Sequence, residues 1–201
     1  MIWIDGILVS EGECGVYGER TLRGFRVWNP YRSKLAAYYY LGGDLEIEPE
    51  MRVLYLGAAH GTTVSHVADY SEITYAVEKA YAPMRDLIAV ASRRKNIIPI
   101  FADATLPLFY APLVESVDML FQDVAHPDQA GIAMKNSMFI RPEGHALIVI
   151  KARSVDFSRN PGDIVDEACR VLDNSLLAVR KVMWLEPYHH DHAMLVCKKV
   201  P

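Results

Sequence analysis

The chain is poor in cysteine, has no excess of positive charge and contains no long apolar run. Its three cysteines, Cys14, Cys169 and Cys197, lie far apart and form no Cys-x-x-Cys pair. That argues against a disulfide framework and a thiolate zinc site, and predicts reduced thiols in a cytoplasmic protein. No apolar stretch approaches the ~18 residues that span a bilayer. The opening MIWIDGILVS carries an early acid and no basic leader, so no signal peptide is expected. Internal repeats and low-complexity tracts are missing. So is Gly-x-x-x-x-Gly-Lys-[Ser/Thr], which excludes a P-loop, and so is the Gly-x-Gly-x-x-Gly spacing of nicotinamide-binding folds. Lys and Arg number 21 against 25 Asp and Glu, for a formal net charge of −4. A chain that gripped RNA alone through its phosphates would be basic. If RNA is the substrate, a partner or the RNA's own pairing must help.

What is present is enough apolar material, 51% of the 201 residues, for a sizeable core. Residues 1–29 are rich in glycine and charge, with short apolar runs at Ile2–Ile4 and Ile7–Val9, and predict a small β-rich region. Residues 30–201 predict the main domain. A helix is expected over 31–41 (YRSKLAAYYYL), with Ser33 near its start and Gly42–Gly43 ending it. From Met51 on, apolar runs alternate with segments of helical spacing. The runs are Val53–Leu56, Ile73–Val77, Ile97–Phe101, Val117–Phe121 and Ala146–Ile150. The helical segments are Thr62–Ala68, Met84–Arg94, Asp128–Met138 and Ile164–Leu172. Leu176–Leu185 and Ala193–Val200 follow with no helix between them, which predicts a terminal hairpin. This order implies an α/β fold whose parallel sheet is covered on both faces.

In such sheets ligands bind beyond the carboxyl ends of the strands. The five core runs end at Gly57, Glu78, Asp103, Asp123 and Lys151. The loop LGAAHGTT (Leu56–Thr63) joins strand to helix; Gly57 and Gly61 permit a tight turn and close backbone approach, and Thr62 and Thr63 open the helix. Alone, it reads equally as a plain βα turn. Glu78, about 20 residues on, is placed to accept from ribose hydroxyls, and Asp103 to accept from an adenine amino group. A single glycine-bearing turn without a pyrophosphate cradle suits S-adenosylmethionine.

The runs VLYLGAAHGTTVSHVADY, TYAVE, RDLI, NIIPIFADA, FQDVAHPDQ, IVIKA and EPYHHDHAMLV, with WNPYRSKLAA upstream, resemble the fibrillarin family from about Val27 to the end. The likeness is strongest to its archaeal members, which lack a glycine–arginine-rich tail. His60 stands where the family usually has serine and His126 where it has glutamine. The resemblance implies a Rossmann-like class I S-adenosylmethionine-dependent methyltransferase fold, with a seven-stranded, mostly parallel sheet and an antiparallel last strand. It implies 2′-O-methylation of ribose in rRNA, with tRNA as a further substrate, guided by box C/D RNA in a particle with a Nop-family scaffold and a kink-turn-binding protein. It implies a catalytic group of Lys34, Asp123, Lys151 and His192. The cofactor contacts it implies are Gly57, Ala58, Gly61, Thr62, Thr63, Glu78, Lys79, Asp103, Ala104, Asp123, Val124, Ala125 and His126.

Other features admit two readings. His189, His190 and His192 beside Asp191 could hold a metal, although methyl transfer from a sulfonium needs none. Tyr38–Tyr39–Tyr40 could stack on bases or pack against the sheet. Arg20, Arg23, Arg26, Arg32 and Lys34 form either an RNA-facing strip or a solvated face. A protein methyltransferase and a non-catalytic assembly subunit are the alternative functions.

Overall fold

The computed structural model describes residues 1–12 and 15–200; the expectation for Cys14 falls outside them. The strands β1 (Ile2–Ile4), β2 (Ile7–Ser10), β3 (Thr21–Leu22) and β4 (Phe25–Val27) form an antiparallel sheet in the order β1-β2-β4-β3. Its tight turns, Asp5–Gly6 and Arg23–Gly24, have positive φ at both central residues, the twist that closes two-residue hairpins. Then follow α1 (Lys34–Tyr40), β5 (Arg52–Leu56), α2 (Thr62–Val67), β6 (Ile73–Glu78), α3 (Tyr81–Ala91), β7 (Ile97–Phe101), β8 (Val117–Gln122), α4 (Gln129–Asn136), β9 (Ile140–Lys151), α5 (Ala152–Val155), α6 (Pro161–Asp173), β10 (Leu177–Trp184) and β11 (His192–Lys199). The second sheet has seven strands in the order β10-β11-β9-β8-β5-β6-β7. β9, β8, β5, β6 and β7 run parallel, and β11 is antiparallel to both β9 and β10. The terminal hairpin and the covered parallel sheet are as expected.

Alternation along the central strands sends neighbours to opposite faces. Val53, Tyr55, Met119, Phe121, Leu147 and Val149 pack with α1, α2 and α3. Leu54, Leu56, Leu120, Ala146, Ile148 and Ile150 pack with α4 and α6. Burial on both sides is why these runs are continuously apolar. β9 begins six residues before the expected Ala146. Its first half, IRPEG, carries proline and glycine and looks like a turn, yet Ile140 pairs with Val117 before the register shifts. The four-residue helix α5 was not foreseen. Tyr38 and Tyr39 are buried against the sheet, so the packing reading of the tyrosine run holds. No helix among the described residues is long and apolar enough to cross a membrane.

The two sheets are joined by a buried polar network. Arg26, fully buried on β4, is paired with Glu19 and with Asp69 Oδ2 (2.6 Å), and donates to Ser65 O and Ser65 Oγ on α2. Arg94 Nε donates to Asp69 Oδ1 at 2.7 Å. Ser10 Oγ donates to Asp69, so His66 Nδ1 must donate to Ser10 Oγ, and His66 Nε2 then accepts from Tyr17 Oη. Burial, then Arg26, keeps His66 well below its ordinary range and neutral. Burial, then Glu19, pushes the Tyr17 phenol up to about 12, so it keeps its proton. These pairings split the basic strip of the sequence. Arg26 is internal and Arg23 is paired to Asp5, while Arg20 and Arg32 are exposed. The burial of Arg26 is hidden in the sequence because one of its carboxylate partners, Asp69, is far along the chain and nothing marks Glu19, seven residues before it, as the other.

Removing one member of a buried ion pair strands the other, so Arg26→Met is expected to lose about 3–5 kcal/mol in urea unfolding. The network is also acid-sensitive. Burial raises Glu19, but hydrogen bonds from backbone N–H groups and Arg26 outweigh it and hold the carboxyl at about 2, against 4.5 unperturbed. A depressed carboxyl stabilises the fold above its unfolded value and loses that contribution as pH falls from 4.5 toward 2. Glu19→Gln should flatten the stability–pH curve in this window.

Candidate active site

The parallel strands end along one rim, and the loops after β5, β6, β7 and β8 enclose a cleft of about 260 Å³. Gly57 follows β5 directly. Its N–H and that of Ala58 both reach Val77 O at 3.0 Å, drawing the loop across the end of β6. Gly57 has φ +79°, and a Cβ there would lie 2.7 Å from Asp123 O, so only glycine lets the two strand ends meet. Gly61, at φ +80°, caps α2 in the left-handed region, and a Cβ there would press on Leu87 and Val90.

Two acids lie on one side of the cleft. Glu78 accepts from Ala59 N–H (2.9 Å) with one oxygen and from Ala80 N–H (2.7 Å) with the other, so each oxygen keeps a free lone pair. Asp103 accepts from Thr105 N–H at 2.9 Å and faces Lys79 at 3.4 Å. The Thr105 backbone bond, aided by Lys79, lowers its carboxyl below the ordinary range, so it is an acceptor at neutral pH.

The other side is cationic. Asp123 sits between two lysines. Lys34 Nζ donates to Oδ2 at 3.1 Å, and Lys151 Nζ lies 2.7 Å from Oδ1 while donating to the Asp123 carbonyl at 3.0 Å. Oδ1 has no N–H aligned on it. The three side chains are 15–17% exposed, shielded enough for the charges to matter and open enough for a substrate. Two ammonium groups on one carboxylate leave a net positive charge at the rim. Lys34 owes its place to Ser33, whose hydroxyl caps α1 at Ala36 N–H and accepts from Trp28 Nε1 (2.9 Å) and Thr63 Oγ1 (3.1 Å). Trp28 in turn stacks on His66, centroids 4.9 Å apart.

His192 opens β11 directly opposite Lys151. Its Nδ1–H donates to His190 O at 2.6 Å, which leaves Nε2 with a lone pair. Burial lowers its pKa, with Lys34 and Lys151 adding to the effect. His189 bonds Pro30 O at 2.8 Å, tying this turn to the segment before α1.

A family model described as Fibrillarin matches residues 9–200. The chain belongs to the fibrillarin family. Among its relatives is the fibrillarin-like rRNA/tRNA 2′-O-methyltransferase of Methanoculleus marisnigri, 58% identical over 199 residues, covering 99% of both chains. Among solved structures, the fibrillarin of a fibrillarin/Nop5p complex superposes with a TM-score of 0.91 at 38% identity, over 98% of this chain and 95% of that one. Aeropyrum pernix fibrillarin with natively bound S-adenosyl-L-methionine superposes with a TM-score of 0.83 at 42% identity, over 92% and 84%.

Of the residues expected from fibrillarin motifs, Gly57, Glu78, Lys79, Asp103, Ala104, Asp123, Val124, Ala125, His126 and Lys151 line the cleft. Ala58, Gly61, Thr62 and Thr63 do not; Ala58 is buried and the Thr63 hydroxyl is spent on Ser33. Lys34 and His192 stand at its edge, joined to it through Asp123 and Lys151. His60 turns away to Asp86 at 2.8 Å. His126 Nδ1 accepts from Asp128 N–H at 2.9 Å. Sequence reasoning missed Ala59, Val77, Ala102, Thr105 and Ile132 on the cleft wall. All but Thr105 are apolar, and only the strand ends beside them could have pointed to them.

Gly57→Ala should cost about 1–3 kcal/mol from its left-handed φ alone, plus the clash with Asp123 O. Gly24→Ala has a similar φ but nothing within 4 Å of the added Cβ, so urea titration should show the smaller loss there.

Proposed function

We propose that this chain transfers the methyl group of S-adenosylmethionine to ribose 2′-hydroxyls of rRNA and tRNA. The reading rests on one observation above others: the Lys34–Asp123–Lys151 group stands at the mouth of a cleft whose far side presents Glu78 and Asp103. It is supported by the names of the relatives, one of which holds the same donor.

The residues present fit that donor. The cradle at Gly57 exists only because no Cβ fills it, and Glu78 and Asp103 offer acceptors to hydroxyl and amino hydrogens. Gly57, Glu78, Lys79, Asp103, Ala104 and Asp123 to His126, which line the cleft, would hold it. When bound, it supplies an electrophilic methyl group on a positively charged sulfur. The protein's own task is the acceptor, since a ribose hydroxyl is a poor nucleophile until it loses its proton. Lys151 orients the 2′-oxygen and stabilises negative charge growing on it, in a site already preorganised by Asp123. Lys34 holds the second carboxylate oxygen, which fixes Asp123 and leaves the Lys151 ammonium free to turn toward the acceptor. His192, neutral with Nε2 open, takes the proton.

The chain works inside a particle. A relative is solved with Nop5p, and a Nop-family scaffold with box C/D guide RNA and a kink-turn-binding protein would deliver the target ribose, in the cytoplasm of an archaeal cell. The charge of −4 agrees, because a delivered enzyme need not grip RNA itself. The small sheet of residues 1–29 braces the methyltransferase domain of residues 30–201.

The test is to assemble the chain with scaffold, kink-turn protein, guide RNA and labelled donor, and to map modified riboses. Lys151→Ala should abolish methylation with donor affinity nearly intact, and Glu78→Ala should first weaken donor binding by calorimetry. Because burial lowers the His192 pKa from the ordinary imidazole range, activity should fall on the acid side as the imidazole charges, at a lower pH than an unperturbed histidine would give. The isolated chain should bind unguided RNA weakly and lose it with added salt.

A further inference from the structure

Gln129 opens α4, is 1% exposed, and plays no part in the roles above. Its amide is turned onto the backbone of Lys151. Oε1 accepts from Lys151 N–H at 2.8 Å, and Nε2 donates to Lys151 O at 3.2 Å. This is the pair of bonds that an adjacent strand would make. β8 would have supplied them, but its last pair with β9 is Gln122 with Ile148, after which the chain leaves the sheet at Asp123. On the other side, Lys151 faces His192 of β11. The Lys151 N–H and C=O point away from that partner, so the two form a non-hydrogen-bonded pair with side chains close together. Without Gln129, both backbone groups of Lys151 would be unpaired at the rim.

Gln129 is itself fixed by β8, the strand that leads into Asp123. The fully buried Gln122, one residue earlier, donates from Nε2 to Gln129 O at 2.8 Å. Asp128 caps α4 by accepting from Gly131 N–H at 3.0 Å. The chain of contacts therefore runs from the end of β8, through the first turn of α4, to the end of β9. It joins the residue beside Asp123 to the backbone of Lys151 independently of the ion pair between their side chains.

We propose that Gln129 is the positioning residue for Lys151: its amide stands in for the missing strand and holds the backbone from which Nζ reaches Asp123 and the acceptor oxygen. This rests on the reading of Lys151 as the group that meets the ribose hydroxyl. Gln129 does not itself line the cleft and meets it only through the Lys151 backbone, so its loss should appear in turnover and not in binding.

The assembled particle with Gln129→Ala is the test. A displacement of this kind should lower kcat about 10- to 100-fold while the donor Kd and the KM for guided RNA stay within about twofold. Amide exchange at Lys151 should quicken while that at Ile148 is unchanged. If Gln129→Ala does not fold, Gln129→Glu decides. It keeps an acceptor for the N–H but sets a carboxylate against the Lys151 carbonyl, and should show the same kcat loss. Wild-type kcat in a folded variant, or a loss confined to donor affinity, would overturn the proposal. Failure of the underlying reading would look different, as full turnover in Lys151→Ala.

Discussion

A single carboxylate, Asp123, held between two ammonium groups, is the constraint on which the rest of the site depends. Lys34 comes from the helix after the small sheet, Lys151 from the end of β9, and Asp123 from the loop after β8. None of the three is near another in sequence. Partly buried charges are tolerated only when paired, so the fold must bring all three to one point or leave a charge stranded. Each neighbouring feature serves that meeting. Gly57 gives way to the Asp123 carbonyl, Ser33 sets the first turn of α1 beneath Lys34, and Gln129 holds the backbone of Lys151.

The support continues into the small N-terminal sheet. Arg26 reaches from β4 into α2, and Trp28, just past β4, stacks on His66 and donates to Ser33. The same α2 begins at the glycine loop. The small sheet thus contributes no side chain to the cleft, yet stands one contact away from both Lys34 and the loop. Its polar network is satisfied internally, which makes it specific as well as costly to break.

Much of the fold was legible because the parallel strands are buried on both faces and so read as continuous apolar runs ending in polar residues. The rim itself was visible in Gly57, Glu78, Asp103, Asp123 and Lys151, since a strand end that faces a ligand needs chemistry rather than packing. Three things were hidden. The first half of β9 has proline and glycine and escapes any periodicity. Arg26 is charged, and nothing local announces that Glu19 and Asp69 will bury it. Gln129 is one polar residue at a helix start, and its role exists only because β8 ends before β9 does. The fibrillarin motifs pointed to Thr63 as a cofactor contact, but its hydroxyl is committed to Ser33, a contact visible only in three dimensions.

On the function proposed above, Asp123 gathers the two lysines where the methyl donor meets a ribose oxygen. Asp123→Asn keeps the shape and removes the charge, so single-turnover methylation of guided RNA by this variant is the direct measurement. A rate lower by about a hundredfold or more, with donor affinity changed only severalfold, is the result expected of a group acting on the reacting atoms. A rate within severalfold of the unmodified chain would remove Asp123 from the chemistry.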